Sequence, residues 1–264
     1  MFQKSKISNG VKSFLVALKF LTILPVGKDW EIQDKELAKS VSYFPLVGAL
    51  IGLLLVAVDF IFGPLFPDAI VNLFILIILI IVTGALHLDG FMDSIDGLFS
   101  GQNKNRILEI MRDSKIGSFG ILAVICLLSL KFSFLNEMQP AVRYPVLILM
   151  PALSRWGVVY LAKIYPYARK GKGIGEPFAK LVGEKELIGA TLFMAILIGL
   201  LLQLKGIVIW LGVFMVLILL GRWINRKISG MTGDTYGAII ETIEVVFLVS
   251  VYCINSINLS LYAP

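Results

Sequence analysis

Asp89, Asp93 and Asp96 stand at i, i+4 and i+7 in the string His87-Leu88-Asp89-Gly90-Phe91-Met92-Asp93-Ser94-Ile95-Asp96-Gly97. At about 100° per residue, a helix gathers them into an arc of roughly 60° on one face. Like charges so placed repel, and the arrangement becomes favourable with a cation between them. Hard oxygen ligands in an open cluster suit Mg²⁺, which keeps waters and takes further oxygens from a bound phosphate. An EF-hand needs ligands at positions 1, 3 and 5 ahead of its glycine, and this spacing does not supply them. His87 falls about 160° from the aspartate face of a continuous helix and is not taken as a ligand. The bland alternative is an acidic loop that keeps a turn wet. It needs no regular spacing and no position directly after an apolar run.

Three further groups of residues could join that chemistry. Arg106–Gly120 begins with a short amphipathic helix carried by Ile107, Leu108, Ile110 and Met111. Asp113 follows, either as a fourth carboxylate for the metal or, with Ser114, as a helix cap. Arg112 and Lys115 are candidate phosphate contacts, and Gly117 and Gly120 would let backbone amides approach a phosphate at a helix start. Arg169-Lys170-Gly171-Lys172-Gly173-Ile174-Gly175 reads as a phosphate cradle or as a flexible basic loop, with Arg169 and Lys172 the cations of interest. Asp234, in Gly230–Gly237, leads into an apolar run that holds Glu241 and Glu244. Ionisable groups within a span point to function, and Arg155, inside its own apolar run, is the natural charge partner. A buried structural ion pair is the competing reading.

These residues need elements to hold them. The chain has 264 residues, 58% hydrophobic and 16% charged, with a mean hydropathy of +0.88. A soluble domain is about 45–50% apolar and about 25% charged, so a water-soluble globule is excluded in favour of a membrane protein. Cys126 and Cys253 build no disulfide framework, and a single histidine builds no multi-His metal cage. Seven runs approach the roughly 20 apolar residues that cross a bilayer: 41–63, 69–87, 116–135, 141–165, 187–204, 207–224 and 238–256. Backbone at membrane depth must satisfy its own hydrogen bonds, so the runs are helices. Val11–Val26, with Lys12, Lys19 and Pro25, reads as a short interfacial or half-inserted helix, and no cleavage site marks it as a signal peptide.

The expected fold is therefore all-α, a single polytopic integral membrane domain over 1–264. Segments 1–40, 88–115, 166–186 and 222–237 hold 19 of the 24 Lys and Arg, while the connections between them are short and nearly bare. Seven spans put every charged segment on one side, which the positive-inside rule makes the cytoplasm, with the C-terminus outside. No repeat or linker divides the chain. The lipid bilayer accounts for the basic segments without a nucleic-acid partner, and a homo-oligomer is left open.

The sequence resembles the cobalamin synthase family. The resemblance is carried by Leu86–Gly97 (LHLDGFMDSIDG), Glu109–Gly120 (EIMRDSKIGSFG) and Thr232–Gly237 (TGDTYG), with Phe20–Pro25 (FLTILP) and Tyr43–Gly48 (YFPLVG) ahead of them. It runs in order over nearly the whole chain. It implies a Mg²⁺-dependent membrane enzyme of the prokaryotic cytoplasmic membrane that joins adenosylcobinamide-GDP to α-ribazole or its 5′-phosphate and releases GMP. On that implication the metal is held by Asp89, Asp93 and Asp96 with Asp113, and Asp93 or Asp96 takes the proton of the attacking hydroxyl. Arg112, Lys115, Arg169 and Lys172 are candidates for the GDP phosphates. Asp234, Glu241 and Glu244 could complete the metal site, bind substrate or hold Arg155. A weaker likeness to the CDP-alcohol phosphotransferases lacks their second run of spaced aspartates. A small secondary transporter is a further alternative, although its sites would lie near the midplane and the aspartates stand at a span end.

Overall fold

The structure is a computed structural model that describes residues 9–27, 32–113, 115, 117–171, 173 and 175–261. Among these residues there is no strand; Tyr167 and Met231 form an isolated β-bridge. The helices are α1 (Asn9–Leu21), α2 (Asp34–Ser40), α3 (Phe44–Phe62), α4 (Asp68–Val82), α5 (Leu86–Leu98), α6 (Lys104–Ile110), α7 (Ser118–Asn136), α8 (Pro140–Ile164), α9 (Glu176–Leu181), α10 (Glu184–Ile228) and α11 (Gly233–Leu261). Each of the seven apolar runs is largely helical, two of them within α10. Its 45 residues would run about 68 Å if straight, more than twice the roughly 30 Å hydrocarbon core. The helix breaks at Gln203, where φ is 51°. A Cβ on Gly206 would lie 2.7 Å from the Ile198 side chain, although eight residues of straight helix would hold the two about 12 Å apart. The chain therefore reverses at Gln203, and α10 is a pair of apposed spans.

The bundle is built around α8. Its residues from Val146 to Ala162 are almost continuously buried, while α7 and α10 turn many large apolar side chains outward, among them Ile121, Leu122, Leu200, Leu204 and Met215. So much exposed apolar surface is unfavourable in water and favourable in hydrocarbon. α8 packs most extensively on α3, because Gly48 and Gly52 let the two backbones touch. A Cβ at Gly52 would sit 2.5 Å from the Leu147 carbonyl oxygen. This small-xxx-small spacing is the usual way for spans to approach closely. Pro145 and Pro151 lie inside α8, where each lacks the amide that would bond the carbonyl four residues before it; the Pro151 oxygen also accepts side-chain bonds from Ser154 and Arg155.

Polar groups tie both halves of the bundle. At one end Arg143 of α8 donates to Asp59 of α3 at 2.8 Å and to Asn72 of α4 at 2.7 Å, and Asn72 donates to Asn136 of α7. In the middle, Lys131 of α7 donates to both Glu241 and Glu244 of α11 at 2.6 Å, and Glu244 also pairs with Arg155 of α8. The two cations and two anions cancel.

Two boundaries differ from the sequence reading. The span expected over 69–87 ends at Val82. Gly84 and Ala85 adopt left-handed conformations, with φ 59° and 56°, and α5 leaves α4 at 87°. We therefore read α5 as lying along the bundle end, outside the spans, with His87 on α5 itself. Near the N-terminus α1 stops at Leu21, where the Thr22 hydroxyl returns to the Leu18 carbonyl. It is too short to span, and Lys12 ties it to Glu36 of α2.

Candidate active site

The bend at Gly84–Ala85 is what lays the three aspartates against the rest of the protein. α5 rests on α11 through two glycines. A Cβ at Gly90 would come 2.9 Å from the Asp234 Cα, and one at Gly237 would come 2.9 Å from the His87 carbonyl oxygen. Each substitution would push the helices apart, so the glycines beside Asp89 and after Tyr236 hold the acidic face of α5 next to Asp234. The start of α11 is fixed by a reciprocal cap. The Thr235 amide donates to the Thr232 hydroxyl at 3.2 Å, and the Thr232 amide donates to the Thr235 hydroxyl at 2.8 Å. The bridge from Tyr167 to Met231 then delivers Arg169, which donates to Asp234 at 2.5 Å and to the Met111 carbonyl at 3.2 Å. Three charged segments, 88–115, 166–186 and 222–237, thus converge at one end of the bundle.

The three aspartates take different roles. Neither the Asp89 nor the Asp93 carboxylate has a hydrogen-bonding partner among the described residues, and both are free to bind. Burial, with Asp89 and Asp234 nearby, pushes Asp93 up to about 7, and Arg169 opposes this. Asp96 instead accepts from the amides of Gly117 at 2.8 Å and Gly120 at 2.9 Å. Both carboxylate oxygens therefore cap the start of α7. Gly117 and Gly120, expected to bring amides to a phosphate, bring them to this carboxylate, and a Cβ at either would collide with it. The favourable interaction of a carboxylate with a helix N-terminus is satisfied from within the chain.

Asp93 gives a sign to the pH dependence of stability. A carboxyl whose folded pKa lies above its unfolded value binds more protons when folded, so its stabilising contribution is full below about 4 and lost as pH rises through about 7. Without divalent cations the apparent Tm is expected to fall between pH 5 and 7.5, and Asp93→Asn to flatten the fall in thermal scans. An unchanged slope in the variant would place the titrating group elsewhere.

The remaining expected site residues are distributed as follows. Arg112, Asp113 and Lys115 are exposed in the turn after α6, and Asp113 accepts the Lys115 amide at 3.1 Å. Among the described residues, no three His, Cys, Asp or Glu side chains already stand at metal-holding distance. Lys172 and Ser114 lie outside the described residues. Arg155, Glu241 and Glu244 come together in the buried network with Lys131, deeper than the aspartates. Lys131 escaped the sequence reading, although a lone lysine in an apolar run was a signal for it. The reading also missed a cavity of about 170 Å³ lined by Phe20, Phe44, Phe178 and Tyr236 together with Asp89, Arg169 and Asp234.

Unpaired carboxylates and an anchored arginine, at one end of an apolar helical bundle and beside an aromatic cavity, make up the candidate site of a polytopic membrane protein. The comparisons are more specific. The family model described as cobalamin-5-phosphate synthase matches residues 13–252, and the chain belongs to that family. It is 39% identical over 239 residues to an adenosylcobinamide-GDP ribazoletransferase of Desulforamulus reducens, covering 90% of this chain and 95% of the relative. Proteins of the same name from Roseiflexus sp. and Clostridium acetobutylicum are 40% and 35% identical, covering 88% and 92% of this chain and 86% and 96% of the relatives. No solved structure matches. The lipid head-group transferase and transporter readings give way to this membership.

Proposed function

We propose that the protein is an adenosylcobinamide-GDP ribazoletransferase of late cobalamin synthesis and that Asp89, Asp93, Asp234 and Arg169 form its reacting centre. In this reaction a ribose hydroxyl of α-ribazole, or of its 5′-phosphate, attacks the phosphorus attached to cobinamide, the bond to the second phosphate breaks, and GMP leaves. The single observation that carries the residue assignment is the juxtaposition of two unpartnered carboxylates with an Arg169–Asp234 pair held by the helix contact at Gly90 and Gly237.

Asp93 accepts the hydroxyl proton. Burial and the neighbouring Asp89 and Asp234 raise its affinity for a proton above that of an ordinary carboxylate. Arg169 is oriented by Asp234 and Met111, while its Nε has no partner in the structure; it contacts a phosphate oxygen. Asp96 is a positioning residue that holds α7 against α5.

The donor set fits a divalent cation. Asp89 and Asp93 are free hard-oxygen ligands in a locally repulsive field, and Asp234 stands beside them. With water and substrate phosphate oxygens these would hold Mg²⁺. Bound there, the ion supplies charge neutralisation on the pyrophosphate oxygens.

The charge asymmetry supports a cytoplasmic position for this end of the bundle. Inverted membrane vesicles given adenosylcobinamide-GDP and α-ribazole externally should therefore release GMP, and sealed right-side-out vesicles should not. Equal release would overturn the orientation, and no release by the purified protein would overturn the function. Gly90→Ala should lower turnover about tenfold to a hundredfold, because an ångström of misplacement at a reacting centre has that effect. Elution as a folded species together with wild-type turnover would show that the α5–α11 contact does not set the geometry.

A further inference from the structure

We infer that the aromatic cavity beside the aspartates seats the acceptor's flat heteroaromatic base, a benzimidazole-type ring, and that His87 and Tyr236 bind its polar edge. The inference rests on the proposed reaction and goes on to name the part of the substrate that this cavity takes.

The cavity is built for a planar apolar group. The Phe20 ring meets Phe178 edge-on at 5.1 Å, Phe44 meets Phe178 at 5.5 Å, and Phe178 meets Tyr236 at 6.4 Å. These contacts are edge-on, and all four rings contribute to the cavity lining. Four polar atoms on lining residues are buried without a partner: His87 Nε2, Tyr167 Oη, Arg169 Nε and Tyr236 Oη. His87 and Tyr236 are each only 4% exposed. Buried polar groups are nearly always satisfied, so unpaired atoms on His87 and Tyr236 in the lining of one cavity point to a ligand that pairs with at least one of them.

The size and polarity of the space select among the parts of the two substrates. About 170 Å³ admits a bicyclic base and excludes a corrin macrocycle. Guanine carries donors and acceptors around its edges, and the phenylalanine walls would leave several unpaired. A benzimidazole presents one free ring nitrogen and an otherwise apolar outline. Its apolar edge fits among Phe20, Phe44 and Phe178, and its nitrogen can accept from His87 Nε2 or the Tyr236 hydroxyl. That pose leaves the attached ribose beside Asp89, Arg169 and Asp234, where its hydroxyl meets the carboxylates.

The test is equilibrium binding of α-ribazole to the full-length protein in nanodiscs without the corrinoid donor, alongside binding of adenosylcobinamide-GDP. Phe178→Ala should weaken α-ribazole at least tenfold and leave adenosylcobinamide-GDP within twofold. Tyr236→Phe and His87→Gln, which change little volume, should each weaken α-ribazole severalfold. α-Ribazole affinity within twofold of wild type in both of these variants overturns the assignment, whatever Phe178→Ala does. So does a loss that falls on adenosylcobinamide-GDP instead. Failure of the wild type to release GMP from saturating substrates would fault the proposed reaction, and the binding measurement does not depend on it.

Discussion

Replacing Asp93 by Asn is expected to lower turnover by about 10²–10⁴-fold, the usual contribution of a positioned general base, while the protein still folds in the membrane. Asn is nearly isosteric and removes a buried, repelled charge, so stability should hold or rise. In the metal-free protein burial and the neighbouring carboxylates push this carboxyl up to about 7, so protons should compete with Mg²⁺ for it: the Mg²⁺ concentration needed for turnover should rise as pH falls from 8 to 6, and Asp93→Asn should remove that competition. Asp89→Asn removes a free oxygen ligand and should act mainly on the divalent-cation requirement. Asp96→Asn should behave differently again. It weakens a charge-assisted contact with two amides, worth about 1.5–3 kcal/mol for a hydrogen bond to a charged group. Lost turnover should therefore come with a lower Tm. Loss of activity without loss of stability in Asp96→Asn would move that residue from positioning α7 to direct contact with the reacting groups.

Lys131→Met is expected to be the most destabilising substitution in the spans. The lysine is 1% exposed and bridges Glu241 and Glu244. Its removal leaves two carboxylates facing only Arg155. Breaking a buried ion pair by deleting one partner costs about 3–5 kcal/mol, mostly from the charge left behind. Lys131→Met should therefore deplete folded protein from membranes, and adding Glu241→Gln should recover part of it by cancelling the surplus charge. Yields and Tm values of the single and double variants in one detergent decide the matter. A single variant as stable as wild type would mean the four charges are not a closed network. This expectation also separates Glu241 and Glu244 from substrate binding: Glu241→Gln alone should leave both substrate affinities near wild type.

The spans were legible in the sequence because apolar run length and charge placement are one-dimensional signals, and membrane depth admits only backbone that bonds to itself. The convergence of the charged loops on one face was legible for the same reason. The spacing of Asp89, Asp93 and Asp96 correctly announced a shared helix face, but not its partners. Whether an aspartate is free, like Asp93, or spent on amides, like Asp96, depends on where α7 begins in space. The bend at Gly84–Ala85 was hidden because its apolar flanks read as one continuous run. Arg155 and Glu244 were recognisable as partners because isolated charges in apolar runs must pair. The aromatic cavity was invisible because Phe20, Phe44, Phe178 and Tyr236 come from four distant segments, and each alone reads as ordinary core. The glycines in LDG and TYG were visible as letters, but their role in bringing α5 against α11 needed the three-dimensional contact.

The most direct measurement is GMP release from adenosylcobinamide-GDP and α-ribazole by the purified full-length protein, titrated with Mg²⁺ after chelation, for wild type and for Asp89→Asn. The expected result is no release without metal, a saturable rise with added Mg²⁺, and a shift of that rise to higher Mg²⁺ concentration in the variant. Full release in chelator, or an identical Mg²⁺ curve in Asp89→Asn, would contradict a reacting centre built on the α5 carboxylates.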